Sequence, residues 1–313
     1  MLGNPTSLAP YLCKAAEEGR LTYKTDYPLS SLSTFRIGGN AAFVVFPKTA
    51  DELASLITLC RSASVCYTVI GNGSNVLFDD RGYHGLILVT TALSDWQRCD
   101  NRVVADCGIS LTYLASVVAK EGLGGLAFAY GIPGTLGGAV FMNAGAYGGE
   151  MRDIVSEVSW YDPETDDFGS FSGDENAFGY RESIYQRGDK LILSATLALT
   201  PADPAVLRTE MEDYKKRRVD KQPLDMPSAG STFKRYPGYF TGKLIEEAGL
   251  KGYMVGGACV SEKHAGFIIN RGNATASDVL TLIEYIKARI KERNGIEIAC
   301  EVRYIPCPGK ENG

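Results

Sequence analysis

The stretch GIPGTLGGAVFMNAGAYGGE, residues 131–150, contains seven glycines and no charged residue before Glu150. Because glycine costs backbone entropy in helices and strands, we expect neither a good helix nor a regular strand here. Two interpretations remain open at this point. The stretch is either an apolar structural turn or a loop whose backbone amides come very close to a ligand.

The bulk composition is typical of a soluble globular protein. The chain has 313 residues, 45% of them hydrophobic and 22% charged, which predicts two or three domains. A net charge of −5 with mixed signs gives no electrostatic footprint for nucleic acid, and the basic run at 215–218 is more typical of a solvated helix face. Because no apolar run approaches the ~18 residues that a membrane span needs, we expect no transmembrane helix, and the first residues do not have the pattern expected of a signal peptide.

Metal binding is not expected, because the eight cysteines form no CxxC pair and there are only two histidines. Several cysteines lie in apolar runs, which favours reduced core thiols and therefore a cytoplasmic protein.

Periodic patterns predict a mixture of helices and strands. Helices are expected after the capping box Thr49–Glu52, from Ser110 to Gly122, over 205–223, and from Thr275 to Gly295. Strands are expected at 64–71, 86–90, 102–108, 191–200 and 298–305. This mixture predicts α+β organisation in about three domains.

A second glycine-rich loop, GNGSN at 71–75, follows one of the predicted strands. Neither loop is a P-loop, and Val76 stands where a Rossmann fingerprint needs its third glycine. Glycines leave room for backbone N–H groups to converge on an anion, and both loops carry neutral donors. Each loop alone fits a structural turn equally well; the two together favour binding of a pyrophosphate.

Three polar residues stand in unusual settings. Arg181 lies between aromatics in GYRESIY, where a guanidinium fork could hold a carboxylate or phosphate. Ser231 lies in the small-residue loop SAGSTFK, although serine is more often a cap. Glu301 lies in a strand-like run, where a solvent-facing carboxylate is the commoner situation.

The motifs TFRIGGNA, VIGNGSNVLF, GIPGTLGGAVFMNAGAYGGE, YRESIY, SAGSTFK and SEKHAGFIIN occur in this order over about residues 20–305. In this the chain resembles the UDP-N-acetylenolpyruvoylglucosamine reductase (MurB) family. The resemblance implies an α+β fold with an FAD-binding region of the vanillyl-alcohol-oxidase (PCMH) type in two subdomains, 1–90 and 91–203. A C-terminal α+β substrate-binding domain, 204–313, would follow, and its final strand is allowed to pack back on the FAD region.

The resemblance further implies an activity in peptidoglycan precursor synthesis. NADPH, as co-substrate, reduces non-covalently bound FAD, and UDP-N-acetylglucosamine enolpyruvate is then reduced to UDP-N-acetylmuramate. Hydride passes from flavin N5 to C3 of the enolpyruvyl group, and a serine protonates C2. By motif position, Ser231 is the implied proton donor, with Arg181 and Glu301 as its partners around the carboxylate. Glu301 is preferred to Glu297 because it directly precedes Val302 and Arg303.

The remaining implied residues bind the cofactor and the substrate. The cofactor set is Arg36, Gly38, Gly39, Gly71, Asn72, Gly73, Ser74, Asn75, Gly131, Pro133, Gly134, Thr135, Gly137, Gly138, Asn143 and Gly145. The substrate set is Tyr180, Lys221, Lys234 and Arg235.

The chain departs from the enterobacterial form in its short segment between YRES and SAGS and in Arg235. Both features resemble the type II subgroup, which lacks a loop with a substrate-capping tyrosine. Arg235, Tyr236 and Tyr239 are therefore the candidates for closing over the substrate. The alternatives are another flavin oxidoreductase of the same fold, such as a 2-hydroxy-acid or sugar oxidase, and a non-catalytic flavin or sugar-nucleotide sensor. We expect a monomer that binds small molecules only.

Overall fold

Three capping signals in the sequence each begin a helix in the computed structural model, which describes residues 2–309. The side chains of Thr49, Ser110 and Thr275 accept hydrogen bonds from backbone N–H groups of the first turn of their helices. Gly295 ends the last of these helices at φ +68°, a left-handed conformation that glycine adopts without strain. All three predicted helix starts are confirmed.

The chain divides into two units. Unit 1 consists of residues 2–25, 42–72 and 85–217, and unit 2 of residues 26–41, 73–84 and 218–309. The three-part division expected from the sequence is a different subdivision and stays a prediction.

The helices are α1 (Ala9–Glu17), α2 (Ala50–Ser62), α3 (Leu111–Lys120), α4 (Leu136–Phe141), α5 (Pro204–Lys221), α6 (Thr241–Glu247) and α7 (Ala276–Asn294). The strands are β1 (Leu21–Pro28), β2 (Asn40–Pro47), β3 (Tyr67–Ile70), β4 (Val76–Phe78), β5 (Tyr83–Val89), β6 (Trp96–Cys99), β7 (Arg102–Asp106), β8 (Leu123–Gly124), β9 (Gly145–Ala146), β10 (Gly149–Glu150), β11 (Val155–Asp162), β12 (Asp167–Ser172), β13 (Leu191–Ala198), β14 (Thr200–Pro201), β15 (Ser228–Ser231), β16 (Met254–Val255), β17 (Ala258–Val260), β18 (Phe267–Asn270) and β19 (Arg303–Ile305).

Unit 1 is built on two sheets. One has the strand order β1-β2-β5-β3, with β3 and β5 parallel, and the other has the antiparallel order β12-β11-β13-β7-β6. The apolar stripe of α2, which includes Leu53, Leu56 and Ile57, is completely buried in one core. The stripe of α3, with Leu111 and Leu114, belongs to a second core.

Unit 2 contains the antiparallel sheet β15-β18-β17-β16. The stripe of α7 that the sequence indicates, with Val279, Leu282 and Ile286 among its members, lies in the core of this unit. The final strand, β19, pairs in parallel with β4, and Tyr304 lies opposite Leu77.

Two expectations about local structure are wrong. The run 131–150 does contain a short helix, α4, because Thr135 caps it and Gly137 packs closely under Cys107; it also contains the small hairpin of β9 and β10. The expected strand 298–305 is regular only in β19, which leaves Glu301 outside it. The reason is that the preceding segment bonds to a different partner, since Glu301 N–H donates to Thr232 O.

Candidate functional site

The two glycine-rich loops meet each other in unit 1. The side-chain Nδ2 of Asn72 donates a hydrogen bond of 2.6 Å to the carbonyl oxygen of Pro133. A Cβ built on Gly71 would lie only 2.2 Å from Oγ1 of Thr135, so a side chain at residue 71 would push the loops apart. The glycine at this position therefore has a specific reason: it permits the close approach of loop 71–72 to loop 133–135.

Two adjacent glycines of the second loop, Gly137 and Gly138, have different surroundings: the first packs against the protein and the second is exposed. Gly137 N–H donates to the carbonyl of Cys107 at 2.7 Å, and a Cβ on Gly137 would lie 2.7 Å from that residue's Cβ. Gly138 is exposed, and a Cβ there would meet nothing nearer than Thr135 Oγ1 at 3.5 Å. The N–H groups of Leu136, Gly137 and Gly138 bond within the protein, to Ile109 O, Cys107 O and Thr135 Oγ1, so this part of the loop offers a ligand room at Gly138 and no charge.

Three of the predicted cofactor glycines, Gly38, Gly39 and Gly73, pack closely against other residues of unit 2. Gly38 lies against Phe78, and a Cβ on Gly73 would lie 1.8 Å from the carbonyl oxygen of Leu32. Gly39 is equally crowded by backbone, because its Cβ would lie 2.4 Å from Asp80 O. These contacts explain the glycines without a ligand.

Four further members of the predicted cofactor set belong two to each unit, Arg36 and Ser74 to unit 2 and Gly131 and Gly134 to unit 1. Arg36 is exposed at φ +57°, Ser74 is half-buried, Gly134 O accepts a hydrogen bond from Leu111 N–H, and Gly131 N–H donates to Thr112 Oγ1 at 3.1 Å. Their contact with a cofactor stays a prediction.

Asn143, another predicted cofactor residue, has no exposed surface. Its Nδ2 donates to Glu150 Oε2 at 3.0 Å and to Gly179 O at 2.8 Å. Its Oδ1 accepts a hydrogen bond of 2.9 Å from Arg152 N–H. The side chain is thus fully engaged with the protein.

Arg181 lies in a strained turn of unit 1. The backbones of Gly179 and Glu182 bond to each other in both directions, at 3.0 and 3.3 Å, and Arg181 within the turn has φ +57°. Its Nη2 donates to Gly145 O at 3.1 Å, and its guanidinium carbon lies 5.4 Å from the ring centroid of Tyr180, which is 46% exposed. A non-glycine residue with such a positive φ costs free energy, and residues of this kind cluster at functional sites.

In unit 2 the predicted serine and glutamate lie on neighbouring backbone segments. Ser231 is the exposed last residue of β15, and Glu301 N–H donates to the carbonyl of the next residue, Thr232, at 2.8 Å. The pairing continues where Lys234 N–H donates to Ala299 O at 2.9 Å. The half-buried Glu301 is also held on its other side, because Asn75 Nδ2 donates to its carbonyl at 3.2 Å.

An aromatic hairpin follows Lys234 directly. Tyr236 and Tyr239 pair as an isolated bridge, and the guanidinium of Arg235 lies over the ring of Phe240 with 5.1 Å to its centroid. The three aromatic side chains are exposed. Lys221, the remaining predicted substrate residue, is exposed at the end of α5.

A buried carboxylate, that of Asp79, lies four residues after Asn75 in the sequence. Asp79 accepts hydrogen bonds from Arg81 Nη2 at 2.6 Å and from the hydroxyl of Tyr304 at 2.6 Å. The Arg81 guanidinium, together with Tyr304 and two backbone amides, holds the pKa of the Asp79 carboxyl well below its usual range. Burial, with the neighbouring carboxylate, raises the pKa of Tyr304 to about 12, so this hydroxyl stays a donor at neutral pH.

Residues 2–309 contain neither a cluster of metal-ligating side chains nor a membrane-spanning helix. In this part of the chain no group of three or more His, Cys, Asp and Glu side chains could hold a metal ion. No helix in this part is both long and apolar enough to cross a membrane.

The roles of Asp79 and Glu150 were not predicted from the sequence. The only signal for Glu150 was that it carries the first charge after the glycine run, opposite Gly145 in the β9–β10 hairpin. For Asp79 there was no signal, since its partner Tyr304 lies 225 residues away.

The chain is similar to proteins of known name over nearly its whole length. An FAD binding domain model matches residues 41–165, and the model of the C-terminal domain of UDP-N-acetylenolpyruvoylglucosamine reductase matches residues 222–305. The reductase of that name from Caldanaerobacter subterraneus subsp. tengcongensis is 45% identical over 298 residues, which cover 95% of this chain and 98% of the relative. That of Syntrophomonas wolfei is 46% identical over 283 residues, or 90% and 94% of the two chains.

A solved structure of a reductase of the same name is also similar to this chain. The crystal structure of UDP-N-acetylenolpyruvylglucosamine reductase (MurB) from Thermus caldophilus superposes with a TM-score of 0.76 at 32% identity, covering 92% of this chain and 99% of that one. The expected fold is therefore confirmed as α+β with an FAD-binding region of the PCMH type. The chain belongs to the UDP-N-acetylenolpyruvoylglucosamine reductase family.

Proposed function

We propose that this protein reduces UDP-N-acetylglucosamine enolpyruvate to UDP-N-acetylmuramate with NADPH as co-substrate and FAD as cofactor. The observation that carries the proposal is the backbone bond from Glu301 N–H to Thr232 O, at 2.8 Å. It brings the serine expected to give a proton and the glutamate expected to support it onto neighbouring segments of one unit. Family membership over 95% of the chain supports the same conclusion.

The loops at 71–72 and 133–138 would enclose the pyrophosphate of FAD, with the backbone amides of 71–72 and 134–135 as donors, since those of Leu136, Gly137 and Gly138 bond within the protein. When bound, FAD supplies the redox chemistry, taking reducing equivalents from NADPH and giving them to C3 of the enolpyruvyl group. The role of these loops is to keep the cofactor in place with neutral groups. The contact of Asn72 with Pro133 and the room at Gly138 support this assignment.

Ser231 would donate the proton to C2 of the substrate. A serine hydroxyl is a weak acid in water, so the transfer needs a strongly basic acceptor and a positioned hydroxyl. Reduction at C3 makes C2 such an acceptor. The position of Ser231 at the end of β15, fixed by the bonds of Thr232 to its neighbours, supports a defined placement.

Arg181 would bind the substrate carboxylate and stabilise the negative charge that develops on it. Its planar guanidinium suits a carboxylate because the two groups can form parallel hydrogen bonds. Its side chain is preorganised by the bond to Gly145 O, so little reorientation is needed when charge develops. Glu301 would support the proton donor.

The nucleotide part of the substrate would be bound by Tyr180, Lys221, Lys234 and Arg235. Tyr236 and Tyr239 join Arg235 as candidates for covering it, because their exposed rings and the cation of Arg235 are suited to stacking on a base and pairing with phosphate.

The proposed domains are two FAD-binding subdomains, 1–90 and 91–203, and a substrate-binding domain, 204–313. The FAD model match at 41–165 and the C-terminal match at 222–305 support the separation of an FAD-binding region from a substrate-binding domain, and the boundary at 90/91 rests on the family resemblance. We further propose a monomeric cytoplasmic enzyme. Free thiols throughout, including the exposed Cys13 and Cys99, are typical of a reducing compartment.

Product analysis with isotopes tests the proposed reaction. The purified holoenzyme is given NADPH and UDP-N-acetylglucosamine enolpyruvate in ²H₂O, and the product is examined by mass spectrometry and NMR. We expect UDP-N-acetylmuramate that carries solvent deuterium at C2, formed in equal amount to the NADPH consumed. Consumption of O₂ without this product would favour an oxidase, and a protein that binds no FAD would overturn the proposal.

A further inference from the structure

We propose that Asn143 is a positioning residue for Arg181, a role different from the FAD contact that its place in the glycine-rich stretch indicates. The inference rests on the proposed function, since it assigns a residue that acts through the carboxylate-binding arginine. Its evidence lies wholly within unit 1.

The amide of Asn143 has no donor left for a cofactor. An asparagine amide nitrogen carries two hydrogens, and here both are used, by Glu150 Oε2 at 3.0 Å and by Gly179 O at 2.8 Å. Its oxygen accepts from Arg152 N–H at 2.9 Å, and the residue has no exposed surface. A buried amide with this set of partners joins protein segments to each other.

One of these segments carries the backbone of Arg181. Gly179 O, which accepts from Asn143, begins the tight turn that Glu182 closes. Arg181 in this turn has φ +57°, a conformation that a residue with a Cβ adopts only when its surroundings impose it. The Asn143 bond is one of the contacts that impose it, and Gln186 Nε2, which donates to Arg181 O at 2.9 Å, is another.

The other segment carries the acceptor of the Arg181 side chain. Nη2 of Arg181 donates to Gly145 O at 3.1 Å, and Gly145 pairs with Glu150 across the β9–β10 hairpin. The carboxylate of Glu150 bonds to Asn143 and to Arg152 Nε. Asn143 therefore holds both the turn that presents the guanidinium and the hairpin that orients it.

The orientation of the Arg181 guanidinium determines how well it can bind a carboxylate. A carboxylate is bound in two parallel hydrogen bonds only when the guanidinium plane has the right orientation. A misplacement of about 1 Å at a reacting group can slow a reaction about 100-fold. Loss of the Asn143 bonds should thus impair the step that uses Arg181.

The test is Asn143→Gly in the FAD-loaded enzyme. Asn143 has φ +40°, so glycine keeps the backbone conformation and removes only the side-chain bonds. Asn273→Gly is the matched control, because Asn273 is an exposed asparagine at φ +55° in unit 2, outside the proposed site. Glu150→Gln, which removes the charge to which Asn143 and Arg152 bond but keeps the size of the side chain, is a milder second variant in case the first fails to fold.

We expect Asn143→Gly to keep bound FAD, seen by its absorbance. Reoxidation of the reduced flavin by the enolpyruvyl substrate should slow about 10- to 100-fold, and amide hydrogen exchange over 179–182 should become faster. In an Arg181→Ala background the same substitution should cause no additional slowing. Glu150→Gln should act in the same direction with a smaller effect, and Asn273→Gly should change neither exchange at 179–182 nor reoxidation.

Three results would overturn the inference. Loss of FAD from Asn143→Gly would make the residue a cofactor contact. Full additivity with Arg181→Ala would show that it does not act through the arginine. Unchanged exchange over 179–182 would show that it does not hold the turn, and this readout is independent of the proposed reaction. If the unmodified enzyme is not reoxidised by the substrate at all, the proposed function fails instead.

Discussion

The hydroxyl of Tyr304 donates a 2.6 Å hydrogen bond to the carboxylate of Asp79, a side chain only 4% exposed. This bond joins the final strand, β19, to the residue that directly follows β4. Glu301 lies two residues before β19. Its carbonyl oxygen accepts a hydrogen bond from the side chain of Asn75, the residue just before β4. A buried acid outside the proposed chemistry thus fixes the segment that carries the predicted catalytic glutamate.

Replacing this acid should lower stability in a pH-dependent way. We expect Asp79→Asn to reduce the free energy of unfolding at pH 7 by about 1.5–3 kcal/mol, because hydrogen bonds to a charged partner are lost. Since the folded-state pKa of Asp79 lies below its unfolded value of ~3.9, the stabilisation is present above pH ~4 and is lost as the pH falls further. Urea unfolding at pH 7 and pH 3 measures this difference.

The control for that experiment is Tyr304→Phe, which removes one bond and should cost less, about 1 kcal/mol. An Asp79→Asn deficit of the same size at both pH values would contradict the assignment of a charged, hydrogen-bonded carboxylate.

Substitution of Glu301 should slow the reaction strongly, whereas substitution of Glu297 should leave its rate nearly unchanged. Glu297 is 74% exposed and pairs with Lys291 at 2.6 Å, whereas Glu301 is held beside Thr232 and Asn75. We expect Glu301→Gln to slow reduction of the enolpyruvyl substrate about 100-fold, within the range of general acid–base effects, and Glu297→Gln to leave it within twofold. Steady-state assays of both variants decide the matter, and a larger effect at residue 297 would reverse the assignment.

The glycine loops offer a test of the FAD cradle. At Gly138 the protein itself has room for a methyl group, so Gly138→Ala should fold with a nearly unchanged melting temperature as apoprotein but bind FAD more weakly. At Gly71 the methyl group would strike Thr135, so Gly71→Ala should lower both FAD affinity and apoprotein stability. Calorimetric FAD titration and thermal melts separate the two cases. Unchanged FAD affinity in Gly138→Ala would remove that residue from the cofactor site.

Local sequence patterns predicted local structure well. The caps at Thr49, Ser110 and Thr275 work through neighbours within one helical turn, so their helices could be placed from the sequence. The α4 helix could not, because its glycines are helical only where Cys107 and the Thr135 cap hold them.

Contacts between residues far apart in the chain could not be predicted from the sequence. The residue types of Arg181, Ser231 and Glu301 indicated chemistry, but the strained turn at Arg181 depends on Asn143, and the position of Glu301 depends on Thr232. Asn143 itself looked like a ligand contact because its sequence neighbours are glycines. Only its buried partners show that the amide is already used.

Removing the proposed proton donor should separate the two halves of the reaction. We expect Ser231→Ala to be reduced by NADPH nearly as fast as the unmodified enzyme, while reoxidation by the enolpyruvyl substrate slows about 10²–10⁴-fold, the usual contribution of a general acid. Single-turnover measurements of each half give the two rates. Equal slowing of both would mean that the serine is structural.

The most direct test of the central claim is anaerobic stopped-flow spectroscopy of the purified, FAD-loaded protein. NADPH should bleach the visible absorbance of the flavin, and UDP-N-acetylglucosamine enolpyruvate, mixed second, should restore it with formation of UDP-N-acetylmuramate. A flavin that NADPH bleaches but that only O₂, and not the enolpyruvyl substrate, reoxidises would contradict the account.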